Sequence, residues 1–278
     1  MPAFGSALSP AQIDAVVAYL RQFCTDAAWP RAELNLPRAL ATEKAFPEDE
    51  TVLTSSFNAR GAPGSDHELA YEQRLGKRSQ LEIAIPFSFV QRDSGELTGG
   101  IGDIAAGLKQ VLLSQLASDG SHGQILSVQG EVALPTGDEA KGLGTGEAVF
   151  TAFAAYDVLL PAKAFVQLQA GVDVPRHTQK VPRTAFLRSA FGKSIAERDG
   201  YGRLWSPMLE VIGERDLERS SGTRWDVIPE LQVTLSTRQH VRAALGYRIP
   251  VHTIEERPRQ VMLYVLWDWF DGSLFEGW

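Results

Sequence analysis

The chain has 278 residues, a formal net charge of −7 and 44% hydrophobic content. That balance excludes nucleic acid as a partner, which requires a basic face, and no run approaches the ~18 consecutive apolar residues of a spanning helix. A single cysteine, Cys24, excludes an internal disulfide framework or a Cys-based structural metal site, and the histidines (His67, His122, His177, His240 and His252) are too scattered for a ligand pair.

The N-terminus lacks the basic start and uninterrupted apolar core of a signal peptide. Ser9-Pro10-Ala11-Gln12 predicts a helix start: Ser9 suits the N-cap, Pro10 the first helical position, and Gln12 can close a capping box. Ile13, Val16, Val17, Leu20 and Phe23 follow at helical spacing and form one apolar stripe. From Thr25 to about Lys44 the periodicity disappears. Prolines, charges, Leu and Trp mix there, which predicts a connector running along or into the next domain rather than a purely flexible linker.

The first segment, with Met1-Pro2-Ala3-Phe4-Gly5 before Leu8-Ser9 and Gln12-Ile13, resembles the end of a c-type cytochrome domain. In that family a Met-Pro-x-Phe segment gives the haem iron its axial thioether. The resemblance implies Met1 as metal ligand, haem c as cofactor, and electron transfer with a periplasmic redox partner. The Cys-x-x-Cys-His motif that attaches such a haem is missing from the sequence. The expectation is therefore that an upstream part carries both the haem motif and the export signal, and that this chain does not hold haem by itself.

Downstream, the hydrophobic period becomes two. In Leu81-Glu82-Ile83-Ala84-Ile85-Pro86-Phe87-Ser88-Phe89 every odd position is apolar and every even one small or polar. A strand with that pattern has one continuous apolar face. Similar segments recur at about Glu48–Phe57, Glu68–Leu75, Ser79–Gln91, Asp103–Leu113, Leu126–Pro135, Ala148–Leu159, Phe165–Val174, Thr184–Ala196, Leu204–Glu214, Trp225–Ser236, His240–Pro250 and Arg259–Phe270. Several approach the ~9–11 residues that a tilted strand needs to cross a bilayer, and short turns alternate with longer loops. The predicted fold is a mainly β, antiparallel transmembrane barrel of about 12 strands behind a short α-helical segment. Its parts are 1–24 (cytochrome-like), 25–45 (linker) and 46–278 (barrel). A soluble β-sandwich remains as an alternative.

The polar faces carry the candidate functional residues. Arg242 and Arg248 share the face opposite Val241, Ala243, Leu245, Tyr247 and Ile249. Glu210 and Glu214 share a face, as do Gln167, Gln169 and Asp173, and Glu82 stands on the polar face of its strand. In a barrel these charges point into the lumen, either pairing with one another or forming a ring that selects a solute. The dense C-terminal aromatics Tyr264, Trp267, Trp269, Phe270, Phe275 and Trp278 suit the membrane–water boundary. A terminal aromatic, here Trp278, also resembles the end signal of outer-membrane barrels, although Asp271-Gly272-Ser273 interrupts the strand before it.

Gly100-Ile101-Gly102-Asp103-Ile104 and Gly130-Glu131-Val132-Ala133-Leu134-Pro135-Thr136-Gly137-Asp138 resemble the outer-membrane family of transporter-like barrels associated with phenol-degradation pathways. The resemblance spans roughly residues 46–278 and implies an outer-membrane barrel in contact with lipid, passing a small-molecule permeant.

No catalytic constellation stands out. Gly142-Leu143-Gly144-Thr145-Gly146 is followed by Glu147 where a phosphate loop would place Lys, and is read as a flexible loop. Asp119, Ser121 and His122 share a turn without forming a triad. The expectation is a non-enzyme: a barrel fused to a cytochrome that transfers electrons at the outer membrane or, alternatively, a passive channel for small solutes, aromatic ones among them.

Overall fold

The computed structural model describes residues 7–21, 29–31, 34–60, 63–91, 95, 97–198, 201–218, 222–252 and 257–278; at 14, 18, 21, 196–198, 201 and 202 it describes the backbone alone. Helix α1 spans Pro10–Arg21. Its capping box forms as the sequence predicts: Ser9 N donates to Gln12 Oε1 at 2.8 Å, and Gln12 N donates to Ser9 Oγ at 3.4 Å.

The strands are β1 (Glu50–Asn58), β2 (Gly64–Leu75), β3 (Ser79–Gln91), β4 (Leu97–Ile101), β5 (Ala105–Leu116), β6 (Gly123–Ala133) and β7 (Val149–Leu159). They continue with β8 (Ala164–Pro175), β9 (Thr184–Lys193), β10 (Ile195–Arg198), β11 (Tyr201–Asp216), β12 (Arg224–Thr234), β13 (Val241–Pro250) and β14 (Gln260–Asp268). Twelve of them close a ring in the order β1-β2-β3-β5-β6-β7-β8-β9-β11-β12-β13-β14, and β14 returns antiparallel to β1 from Glu50↔Asp268 to Asn58↔Gln260. Closure removes the sheet edges, which hydrocarbon would leave unsatisfied. β4 pairs with the far half of β3, and β10 with the near part of β11, so each extends a neighbouring stave beyond an interruption.

Both the approach to β1 and the end of β14 lie at one rim, with the turns β2–β3, β5–β6, β7–β8 and β12–β13. The longer connections β6–β7, β8–β9 and β13–β14 lie at the other. This asymmetry assigns the turn rim to the periplasm. Gly76 enables the tight β2–β3 turn, because its φ of 75° is strained for a side chain.

Strand parity divides the wall. Leu53, Ile83, Phe89, Leu108, Phe150, Leu168, Leu187, Leu209, Leu231, Leu245 and Val265 all face outward and are more than a third exposed. A belt that continuous has no place in water and suits lipid. This separates the barrel from the sandwich: the apolar face lies outside and the charged one inside. His67 lies on the outer wall, stacked on Phe87 at 4.8 Å, and its ring nitrogens contact Ser55 Oγ and Ser65 Oγ.

Two local expectations change, and the interruption expected after the last strand is found. The glycine-rich loop after β6 is packed rather than flexible: Asp103 accepts from Gly137 N (3.0 Å), Thr145 N (2.7 Å) and Thr145 Oγ1 (2.8 Å), and Leu143 is buried. A Cβ on Gly137 would come within 2.5 Å of the Leu143 carbonyl oxygen, so the fold of the loop requires glycine there. Tyr264 is no boundary aromatic. It has inward parity with Met262 and Leu266, is 1% exposed, and donates its hydroxyl inside the barrel. The tail after Asp268 does not extend the last strand. It folds back on the β12–β13 turn through His240 Nε2 to Ser273 O (2.9 Å) and Thr237 Oγ1 to Gly277 O (2.9 Å), leaving Phe270, Phe275 and Trp278 exposed at the rim.

Candidate functional site: the plugged lumen

The segment that loses periodicity in the sequence enters the barrel. Leu34 packs against Gly123 at the periplasmic rim. The chain then climbs: Gln167 Nε2 donates to Pro37 O at 3.1 Å, and Arg38 N donates to Gln232 Oε1 at 3.1 Å. Its apex is Leu40-Ala41-Thr42. Leu40 N donates to Glu230 Oε2 (3.0 Å), and Thr42 N and Oγ1 donate to Glu210 Oε2 (2.7 and 2.6 Å). It descends past Ala45 N to Asp157 Oδ2 (2.7 Å) and Glu48 N to Gln80 Oε1 (2.6 Å), and enters β1 at Glu50. Residues 34–49 thus form a hairpin plug in the lower lumen. Strand parity aims the side chains that satisfy its backbone, as a buried irregular segment requires.

Charges fix the plug as well. Arg38 Nη1 lies 2.9 Å from Glu50 and 2.6 Å from Glu72, and its Nη2 lies 3.1 Å from Glu43. Lys44 pairs with Glu48, and Lys109 stands 3.8 Å from Glu43. Tyr264 closes the network, donating to Arg38 O (2.8 Å) and Gln232 Oε1 (2.6 Å). Carboxylate oxygens of Glu43, Glu72 and Glu82 lie within 4.8 Å of one another. Arg38 and Lys109 sit against this trio as its counter-charges, so we read it as an ion-pair network rather than a metal site.

The six charges chosen from the sequence all point inward but form no single ring. Glu82 accepts from Gln129 Nε2 at 3.1 Å, and Glu210 holds the plug apex. Asp173 lies above, accepting from Thr151 Oγ1 at 2.8 Å. Glu214 stands 3.9 Å from both Arg188 and Arg224, and Arg248 is bound to Asp226. Arg242 lies below the plug, its Nε donating to Gln239 O at 2.8 Å.

Above the plug the wall carries charges of both signs. Glu68, Glu131 and Asp173 come from β2, β6 and β8, while Arg188, Arg224 and Arg248 of β9, β12 and β13 are paired with Glu214, Asp216 and Asp226. Sequence reading missed Glu50, Glu72, Lys109, Glu230 and Asp226, although each has the same inward parity as its chosen neighbours.

Asp119, Ser121 and His122 do touch, but in a periplasmic turn: Asp119 accepts from Ser121 N (3.0 Å) and Oγ (2.8 Å), and Ser121 Oγ lies 3.0 Å from His122 Nδ1. The Ser121 amide and then its hydroxyl hold the Asp119 carboxyl below the usual carboxylate range. The contacts make a capped turn.

No protein-family model and no curated protein matches the sequence. Solved structures do. The COG4313 outer membrane channel from Pseudomonas putida F1 is 13% identical, covering 83% of this chain and 99% of that one, with a TM-score of 0.51. The chain is an outer-membrane β-barrel. The KdgM porin in complex with disordered oligogalacturonate (8% identical, 78% and 98% covered, TM-score 0.46) and LpxR from Salmonella typhimurium (10%, 78% and 99%, 0.45) are more distant. At such identities the likeness is one of fold.

Met1 lies outside the described residues, so the structure places no axial ligand. On α1, Val16, Val17, Tyr19 and Leu20 are exposed and enclose nothing ring-sized. The described residues of α1 and the missing Cys-x-x-Cys-His offer no fit to a covalently held haem.

Proposed function

We propose that this barrel is a passive outer-membrane channel for small solutes whose lower lumen is closed at rest by the 34–49 hairpin. One observation carries the reading. Besides the apolar packing of Leu36 and Phe46, and of Leu40, against the wall, the plug is held by hydrogen bonds and ion pairs to wall side chains, and the lumen above it is lined with charged residues. A barrel serving only as an anchor gains more from a wholly apolar filling, since buried ion pairs add little net stability. The fold likeness to a solved outer-membrane channel at a TM-score above 0.5 agrees. This passive reading takes precedence over electron transfer, because the charged upper lumen suits a polar solute whereas the described residues of α1 form no enclosure for haem. No reaction is proposed.

The test is osmotic swelling of proteoliposomes in small sugars and amino acids, with the native chain and with a chain whose residues 36–47 are replaced by a short Gly/Ser linker. The linker protein should swell the vesicles faster than the native chain does. The protein-free rate from the linker protein, in a barrel whose gel migration shifts on heating, would rule the channel out.

A further inference from the structure

Below the plug, at the periplasmic rim, lies a cavity of about 490 Å³. One wall is apolar, with Leu36, Leu159, Phe165 and Leu204; Arg242 stands on the polar wall, with Asp119 and with Lys163, which has a contact of its own. The size falls in the range of small-molecule sites, as does an apolar wall with few polar groups.

Arg242 differs from the other cations inside the barrel. Arg38 has three glutamates, Lys44 has Glu48, Lys109 has Glu43, Arg188 has Glu214, Arg224 has Asp216, and Arg248 and Arg257 share Asp226. Arg74 lies over the rings of Trp29 and Phe46. Among the described residues no carboxylate lies within 4.0 Å of Arg242. Of the acids around it, Glu48 is paired with Lys44 and Glu50 with Arg38, while Asp268, which accepts from Asp271 N at 3.2 Å, stays beyond 4.0 Å as a longer-range counter-charge. The bond from Nε to Gln239 O fixes the plane of the guanidinium. Its two terminal amino groups remain as a fork, the geometry that grips a carboxylate with two hydrogen bonds.

We propose that this cavity is a binding subsite for small organic carboxylates with an apolar body, and that Arg242 selects the anion. The apolar wall takes the body and the fork takes the carboxylate. Asp119, also on the cavity's lining at the turn, accepts from Ser121 and makes no ion pair with Arg242; it keeps its own charge, so the fork of Arg242 must outweigh it. The inference rests on the channel reading only where it calls the ligand a permeant; binding does not require conduction.

The experiment is calorimetric titration of the full chain in a non-ionic detergent with benzoate and with benzamide, its neutral isostere. Benzoate should bind at least tenfold more tightly than benzamide, and Arg242→Gln should weaken benzoate about ten- to a hundredfold while leaving benzamide unchanged. Equal binding of the two probes, or an Arg242→Gln protein that binds benzoate as before, would overturn the assignment. Should Arg242→Gln fail to fold, Leu204→Trp fills the apolar wall and keeps the arginine. Loss of benzoate binding there supports the site, and retention overturns it. A chain that binds benzoate while its form with residues 36–47 replaced by a linker admits no solute to liposomes would overturn the channel reading alone.

Discussion

Replacing Glu210 with Ala should free the apex of the plug. Glu210 accepts from Thr42 N (2.7 Å), Thr42 Oγ1 (2.6 Å) and Ala41 N (3.1 Å). Hydrogen bonds to a charged acceptor contribute about 1.5–3 kcal/mol each, so the two shortest alone could contribute about 3–6 kcal/mol. Such terms are not additive, and Glu230 on Leu40 N, Gln169 on Glu43 N and Asp157 on Ala45 N remain. Taking about 3 kcal/mol as the loss, the open population rises on the order of a hundredfold. The assay uses Ala39→Cys, at a site 3% exposed in the closed plug, in a Cys24→Ser background. A membrane-impermeant maleimide reads the open population as a labelling rate. The rate should rise by about two orders of magnitude with Glu210→Ala and by less with Glu210→Gln, which keeps an amide oxygen as acceptor. A rate unchanged within about threefold, in a barrel that still shifts on heating, would refute the claim that this carboxylate holds the plug.

Three further outcomes are expected. Leu245, 58% exposed on β13, faces lipid, and Leu245→Arg should destabilise the barrel by about 2–4 kcal/mol in urea titrations in lipid; a neutral effect would remove it from the bilayer midplane. Asp103→Ala leaves three donors of the glycine-rich loop unsatisfied, so cleavage after Lys141 by trypsin should accelerate; an unchanged rate would mean the loop is held by Leu143 instead. In the outer loops, a hydrogen bond from Arg183 holds the Glu218 carboxyl below its usual range. Its folded pKa lies below the unfolded value near 4.3, so the contact is fully present above that value and lost as pH falls through the lower one. Hydrogen exchange at Leu217 should speed up in that window and lose this dependence in Glu218→Gln; equal profiles would show the pair does not order the loop.

Much of the wall was legible because its physics is local. Alternation in Leu81–Phe89 or Val241–Ile249 fixes which side chains meet lipid, and the six chosen charges followed from the same parity. Interruptions were harder to read. Leu97–Ile101 contains Gly99-Gly100 and resembles a turn, yet it pairs with β3 because the far half of that strand offers an unused ladder. The plug was illegible in its detail. Arg38, Glu43, Lys44 and Glu48 read as charges on a connector, and their partners lie on strands far along the chain: Gln232 for Arg38 N, Glu210 for Thr42, Asp157 for Ala45. No local period encodes such contacts. Tyr264 shows the opposite failure, where composition suggested the boundary and parity, had it been applied, pointed inward.

The central claim is that the 34–49 hairpin closes a solute path. Both ends of the hairpin lie at the same rim, so residues 36–47 can be replaced by a short Gly/Ser linker without straining the barrel. Single-channel recording in planar bilayers then compares the two proteins. The native chain should show small or rare openings, and the linker protein a larger, persistent conductance. Equal conductance in both, or none in either from correctly folded barrels, would contradict the account.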